Sequence, residues 1–190
     1  MFKLPIQNYY VRDKLDNHEE MKSQVLSLID NSSDGSLEEV NENYNNKLSK
    51  LDWQNNADFD RPWVKLILPS LIKKLGEMAY SIGYHSVFIK ALWYQQYTKD
   101  SIHDWHVHSE NYTGVYYLEY PEGAPPTKLF GNELTVPNVN EGDVVMFPAM
   151  TPHQAPMIKN DVRKTIISYN FNMSELNLDK LKEVRYGSIQ

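Results

Sequence analysis

The stretch Ser86-Val-Phe-Ile-Lys-Ala-Leu-Trp-Tyr-Gln-Gln-Tyr97 marks a change of pattern in this chain. It is dense in β-branched and aromatic residues, and it opens just after Gly83, a good helix-ending residue. Three later segments, Thr113 to Tyr120, Gly142 to Phe147 and Thr165 to Phe171, repeat that composition between polar, Pro or Gly breaks. Short strands separated by turns suit a jelly-roll sandwich. Upstream the periodicity is helical. Asp16 or Asn17 is placed to cap a helix whose Met21, Val25, Leu28 and Ile29 share one face. A second helical region runs from Pro62 to Ile82, with Pro69 either kinking it or starting its second half. Helices first and strands second predict an α+β fold, a double-stranded β-helix with N-terminal helices packed on one sheet.

The 190 residues fit one domain. Within it residues 1–85 are expected to be helical, with a polar loop near 30–50 that is rich in Asn, Ser, Asp and Glu. Residues 86–173 are expected to form the β core, and 174–190 a C-terminal extension. Acidic residues outnumber basic ones, 25 to 19, which disfavours a nucleic-acid partner because phosphate neutralisation needs clustered cations. The absence of cysteine removes disulfides, zinc–thiolate sites and thiol nucleophiles. The N-terminus shows no signal-peptide apolar core and no stretch is long enough to span a bilayer, so a cytoplasmic protein without a membrane partner is expected.

Three of the six histidines crowd into His103-Asp-Trp-His106-Val-His108. On a strand, positions i and i+2 face the same way, so His106 and His108 aim two imidazoles at one point. Asp104 and Glu110 share that parity. Downstream, a Gly-Asp turn feeds the apolar segment Asp143-Val-Val-Met-Phe147, and a lone His153 follows. Two ligands close in sequence and one distant is the layout of facial iron sites, which leave positions open for a cosubstrate and oxygen. Arg163 and Thr165 begin the last strand segment, where an inward guanidinium pairs with a carboxylate in bidentate fashion. Were Arg163 instead to face away, a three-histidine enzyme of cupin type, without such a cosubstrate, would gain ground.

Taken together, Trp105-His-x-His, Tyr112-Thr-Gly-Val-Tyr-Tyr-Leu-Glu, Gly142-Asp-Val-Val-Met-Phe-Pro, His153 and Arg163-x-Thr resemble the 2-oxoglutarate- and Fe(II)-dependent oxygenase superfamily. The likeness is to its small bacterial and phage-type members with a His-x-His motif. It spans about Ala91 to Asn172. It implies a dioxygenase, in all expectation a hydroxylase, that uses Fe(II), 2-oxoglutarate and O2. It implies His106 and His153 as iron ligands and Arg163, assisted by Thr165, as the partner of the cosubstrate's distal carboxylate. Tyr117 and Tyr97 are further candidates for that carboxylate. The superfamily's usual second ligand is acidic, and here the matching position is His108. Because His108-Ser-Glu110 also reads as His-x-Glu, Glu110 stands as the alternative second ligand. The substrate is left open between a peptidyl side chain, a free metabolite and a nucleobase, with Trp93, Tyr94, Trp105 and Tyr112 as candidate pocket aromatics. The assembly state is left open as well, a homodimer included.

Overall fold

The computed structural model describes residues 10–35, 37–41, 44–179 and 182. The chain forms β1 (Val11–Lys14), α1 (His18–Asp30), β2 (Leu37–Asn41), β3 (Tyr44–Leu48), β4 (Lys50–Leu51), a 3-10 turn (Trp53–Asn55) and α2 (Pro62–Ser81). It continues with β5 (Tyr84–Tyr97), β6 (Ile102–His106), β7 (Tyr112–Glu119), β8 (Lys128–Phe130), β9 (Leu134–Thr135), β10 (Asp143–Pro148), β11 (His153–Ala155) and β12 (Lys164–Leu176). The strands make two antiparallel sheets. The major sheet runs β1-β10-β7-β12-β5-β4 and the minor sheet runs β2-β3-β6-β11-β8-β9. This is the expected jelly-roll core carrying two helices.

Strand periodicity divides the core into two layers. Leu92, Tyr94, Tyr116, Leu118, Ile167 and Tyr169 face the helices, where they meet Val25, Ile29, Trp63, Ile67 and Leu71. The alternate positions Tyr97, Val115, Tyr117, Val145, Phe147 and Ile166 face the minor sheet. Central strands covered on both sides read as near-continuous apolar runs, which is why they were conspicuous in the sequence.

Several local expectations change. Asn17 occupies the N-cap of α1 but makes no side-chain cap bond, because its amide donates instead to Ser70 Oγ at 2.9 Å, tying α1 to α2. Leu28 is exposed while Met21, Val25 and Ile29 are buried. α2 runs unbroken through Pro69. The segment expected as a polar loop near 30–50 contains the β2–β3 hairpin and β4. β3 joins the minor sheet by backbone pairing to β6, and of its described side chains only Leu48 is buried. A strand of that kind has no apolar alternation to reveal it. The C-terminal extension lies largely outside the described residues. Among the described residues no helix is long and apolar enough to cross a membrane.

Gly114 is required where two layers touch. A Cβ there would stand 2.2 Å from the Val145 carbonyl oxygen and 2.5 Å from the Tyr169 ring, whose hydroxyl donates to that same carbonyl. Gly142, at φ +89, makes the turn into β10.

Candidate active site

His106 closes β6, and His153 opens β11 directly opposite it. The pairing then slips, because Ala155 is opposite His103 rather than Asp104. This bulge inserts one residue into β6 and resets the parity, so His103 and His106 face the same interior although three positions separate them. Their rings stack at 3.9 Å. His108 lies just beyond the strand, held by its backbone N–H on the Ala149 carbonyl at 2.9 Å. Its ring returns to the cluster, with Nε2 at 3.2 Å from His153 Nε2.

His106, His108 and His153 each present one ring nitrogen, and these nitrogens lie within 4.8 Å of one another. Two nitrogens sharing a metal at ~2.1 Å and near right angles stand ~3 Å apart, so the spacing suits an ion. The outer nitrogens set the tautomers. His106 Nδ1 is 2.6 Å from the Asp104 carbonyl and His153 Nδ1 is 3.0 Å from the Thr151 carbonyl. A carbonyl only accepts, so each Nδ1 carries the proton and each Nε2 keeps its lone pair for the cluster. Burial drives His153 well below the usual imidazole range, His106 below it, and His108 to about 4, helped by the neighbouring His106. All three are therefore neutral at pH 7, the state in which imidazole ligates.

Glu110 does not join this group; its carboxylate accepts from Ser109 at 3.3 Å. Nor does Asp104, which the bulge turns toward Gln154, whose amide donates to it at 3.0 Å. The assembled donor set is thus three imidazoles without a carboxylate.

Arg163 and Thr165 are not brought to the histidines. Both lie on the helix-facing side of β12. Arg163 Nε donates to Glu119 at 2.8 Å and its Nη1 to Asp30 at 3.0 Å, while Thr165 Oγ1 donates to Glu119 at 2.8 Å. The physical reason is parity: Ile167 and Tyr169, two and four residues on from Thr165, belong to the helix-side core. The residue between them, Lys164, points inward. It is fully buried, lies opposite Tyr97 in the register, has its ammonium 4.6 Å above that ring, and donates to the Pro125 carbonyl at 3.0 Å. Among the described residues no carboxylate accompanies it, and burial lowers its pKa to about 7. Beside it the Tyr97 hydroxyl is buried with no hydrogen-bond partner among the described residues. The Tyr117 hydroxyl is also inside, donating to Thr127 Oγ1 at 3.1 Å.

An inner cavity of about 20 Å³ is lined by the histidines together with Tyr97, Thr127, Ile166 and Ser168. On the other side the histidines floor an open cleft of about 700 Å³ that also includes Trp53, Trp93 and Gln95. Of the candidate pocket aromatics, Trp93 lines the cleft. Tyr94 reaches back to Ser32 and Asp34, at 2.7 and 2.6 Å, Trp105 is on the outer face against Phe130, and Tyr112 packs on Phe171. Lys164, His103 and Gln95 had not been singled out as site residues.

The sheets, the helical layer and the half-buried histidine cluster define a jelly roll of the kind built by 2-oxoglutarate–Fe(II) oxygenases. No family model matches the chain and no curated protein matches it. Solved structures do. An oxidoreductase of the 2OG-Fe(II) oxygenase family from Burkholderia pseudomallei superposes with a TM-score of 0.67 at 13% identity, over 85% of this chain and 84% of that one. The viral collagen prolyl hydroxylase of Paramecium Bursaria Chlorella virus-1, solved with 2OG, gives 0.55 at 13% identity, over 86% and 95%. A Trichoplax adhaerens prolyl hydroxylase, solved with a hypoxia-inducible-factor peptide fragment, gives 0.59 at 14% identity, over 92% and 86%. These likenesses establish the fold.

Proposed function

We propose that the protein is an Fe(II)- and 2-oxoglutarate-dependent oxygenase that hydroxylates its substrate, with iron held by His106, His108 and His153. The observation that carries the cosubstrate is the pair at the closed end of the barrel, a buried Lys164 with no acid and a buried Tyr97 hydroxyl with no partner. Buried charges are ordinarily paired and buried hydroxyls ordinarily bonded. A carboxylate arriving between them satisfies both at once. The inner cavity, about 20 Å³, has room for about one water. Seating a dicarboxylate therefore requires Lys164 to leave the Pro125 carbonyl. When bound, the iron centre supplies oxidative decarboxylation of 2-oxoglutarate to succinate, coupled to hydroxylation of a substrate C–H bond. The chain's own residues hold the ligands neutral, orient the cosubstrate and keep water from the closed end.

One arrangement favours a second reading. Three neutral ligands and an Arg163 turned away also describe a cupin-type metal enzyme that uses no 2-oxo acid. The two part in an anaerobic titration. The oxygenase reading expects one Fe(II) per chain, a new visible absorption on adding 2-oxoglutarate, and succinate release with O2 across a substrate panel. Iron binding that is indifferent to 2-oxoglutarate would overturn it in favour of the second.

A further inference from the structure

The open cleft in front of the histidines has an unusual charge inventory. Among the described residues that line it there is no lysine and no arginine. Lys50 and Arg61, on flanking elements, are engaged elsewhere. Lys50 donates to the carbonyls of Ile29, Asp30 and Ser32, and Arg61 to Asp52 and the Leu92 carbonyl. Of the two acids at the cleft, Asp52 is buried and consumed by Arg61, Trp63 and the Tyr94 N–H. Asp34 is different. Its carboxylate accepts from the Tyr94 hydroxyl at 2.6 Å and, among the described residues, makes no ion pair.

The 3-10 turn places Trp53 on the lining of the same cleft. Trp53 is 43% exposed, lines the cleft, and packs its ring edge-to-face on Trp93 at 4.5 Å, which fixes its orientation. The turn itself is anchored by the buried Asp52 and its three partners, which makes Trp53 a rigid wall rather than a mobile flap. An exposed indole and an unpaired carboxylate, with no competing cation, are complementary to a positive charge.

We propose that this cleft receives a substrate group bearing a positive charge, an alkylammonium or guanidinium, held between the Trp53 indole and the Asp34 carboxylate. The inference rests on the oxygenase reading for its claim that the occupant is a substrate. The binding itself does not need the metal.

Calorimetric titrations of the full chain test it, once metal-free and once with Fe(II) and 2-oxoglutarate under anaerobic conditions. The probes are the blocked tripeptides acetyl-Gly-Lys-Gly-amide and acetyl-Gly-Arg-Gly-amide, with the prolyl and glutamyl counterparts as controls. The lysyl or arginyl peptide is expected to bind at least tenfold tighter than both controls, with affinity falling as salt rises. Asp34→Asn, which keeps an acceptor for Tyr94, should remove about tenfold of that preference and leave the prolyl peptide unchanged. Trp53→Leu should also weaken the cationic peptide, with circular dichroism confirming that both variants fold. Equal or tighter prolyl binding, no measurable binding by any of the four, or an Asp34→Asn protein that keeps the full preference would each overturn the proposal. A cationic preference in a protein that fails to take up iron or 2-oxoglutarate would support the cleft assignment and sink the oxygenase reading alone.

Discussion

The two faces of β12 obey different rules. On the helix side Arg163 meets two carboxylates, Thr165 donates to one of them, and Tyr169 donates to a backbone carbonyl. Every one of these polar groups finds a partner within the chain. On the inner side, one residue away, Lys164 is buried without an acid and faces a tyrosine whose hydroxyl has nothing to bond. An unpaired buried charge costs several kcal/mol, so a sheet built for stability alone would not carry one on its better-sealed face. The contrast puts on the inner face the two groups that the proposed cosubstrate carboxylate would satisfy. The outer face is finished.

The largest effect is expected across the barrel from that inner face, at the histidines of the minor sheet. His106→Ala and His153→Ala should each weaken Fe(II) binding by more than about a hundredfold, since loss of a ligand exceeds the ~10–100-fold that outer-shell changes cost. His108→Ala should do the same, while Glu110→Gln leaves iron binding intact. Metal content after anaerobic reconstitution reads all four. Intact binding in His108→Ala with loss in Glu110→Gln would move the second ligand to Glu110.

Next in size is Lys164. A charge-assisted bond in a sealed site is worth about 1.5–3 kcal/mol, so Lys164→Met should raise half-saturating 2-oxoglutarate by roughly tenfold to over a hundredfold. The same change should stabilise the cofactor-free protein by removing a buried amine. Burial takes that amine from 10.5 to about 7, so between these values the unfolded chain holds a proton that the folded chain lacks. Stability from this group therefore rises with pH across that window and is lost below pH 7, where the folded state must bury an ammonium. Thermal melts from pH 6 to 9 should show that rise in the native chain and lack it in Lys164→Met. A bound carboxylate restores the proton, so 2-oxoglutarate affinity should fall above about pH 7. A variant with an unchanged cosubstrate titration would break the comparison between the two faces.

A smaller loss is expected at Gly114, where the layers meet. Gly114→Ala forces either the Val145 carbonyl or the Tyr169 ring to move, and overpacking of this kind costs about 1–3 kcal/mol. Chemical denaturation measures it. A variant as stable as the native chain would mean that the sheet relaxes there without resistance.

Much of this arrangement was legible. Apolar runs such as Asp143 to Phe147 are the signature of strands covered on both sides, and the helices announced themselves by period. What escaped had no apolar pattern. β3 is polar, and β8, β9 and β11 are two or three residues long. The closeness of His106, His108 and His153 was legible, though not for the whole physical reason. The i, i+2 argument takes β6 to continue through His108, whereas the strand ends at His106 and a bulge sets its facing. Parity also sets Arg163 on the side of Glu119 and Asp30. Lys164, Ile166, Ser168 and Asn170 alternate on one face of β12, three of the four polar, while Thr165, Ile167, Tyr169 and Phe171 form the other. Polar residues on alternate positions of a strand that is buried on both faces mark the side where a site lies. That alternation was present in the sequence and points to Lys164.

The smallest effect should come from the residue that the sequence favoured. Arg163 is 37% exposed, and its partners Asp30 and Glu119 are 40% and 21% exposed. Pairs of that exposure contribute about 0–1 kcal/mol, because solvent screens them and two side chains must be held in place. Arg163→Ala should therefore lower the melting temperature by no more than about 4 °C in a domain of this size. Half-saturating 2-oxoglutarate should stay within about twofold of the native value. The loss in stability should shrink further in high salt, as a screened pair requires. Lys164→Met gives the opposite pattern, a stabler cofactor-free chain with a damaged cosubstrate titration. Should Arg163→Ala instead raise the 2-oxoglutarate requirement tenfold or more, β12 would have to turn about its axis on cosubstrate binding, and the carboxylate partner would revert to Arg163.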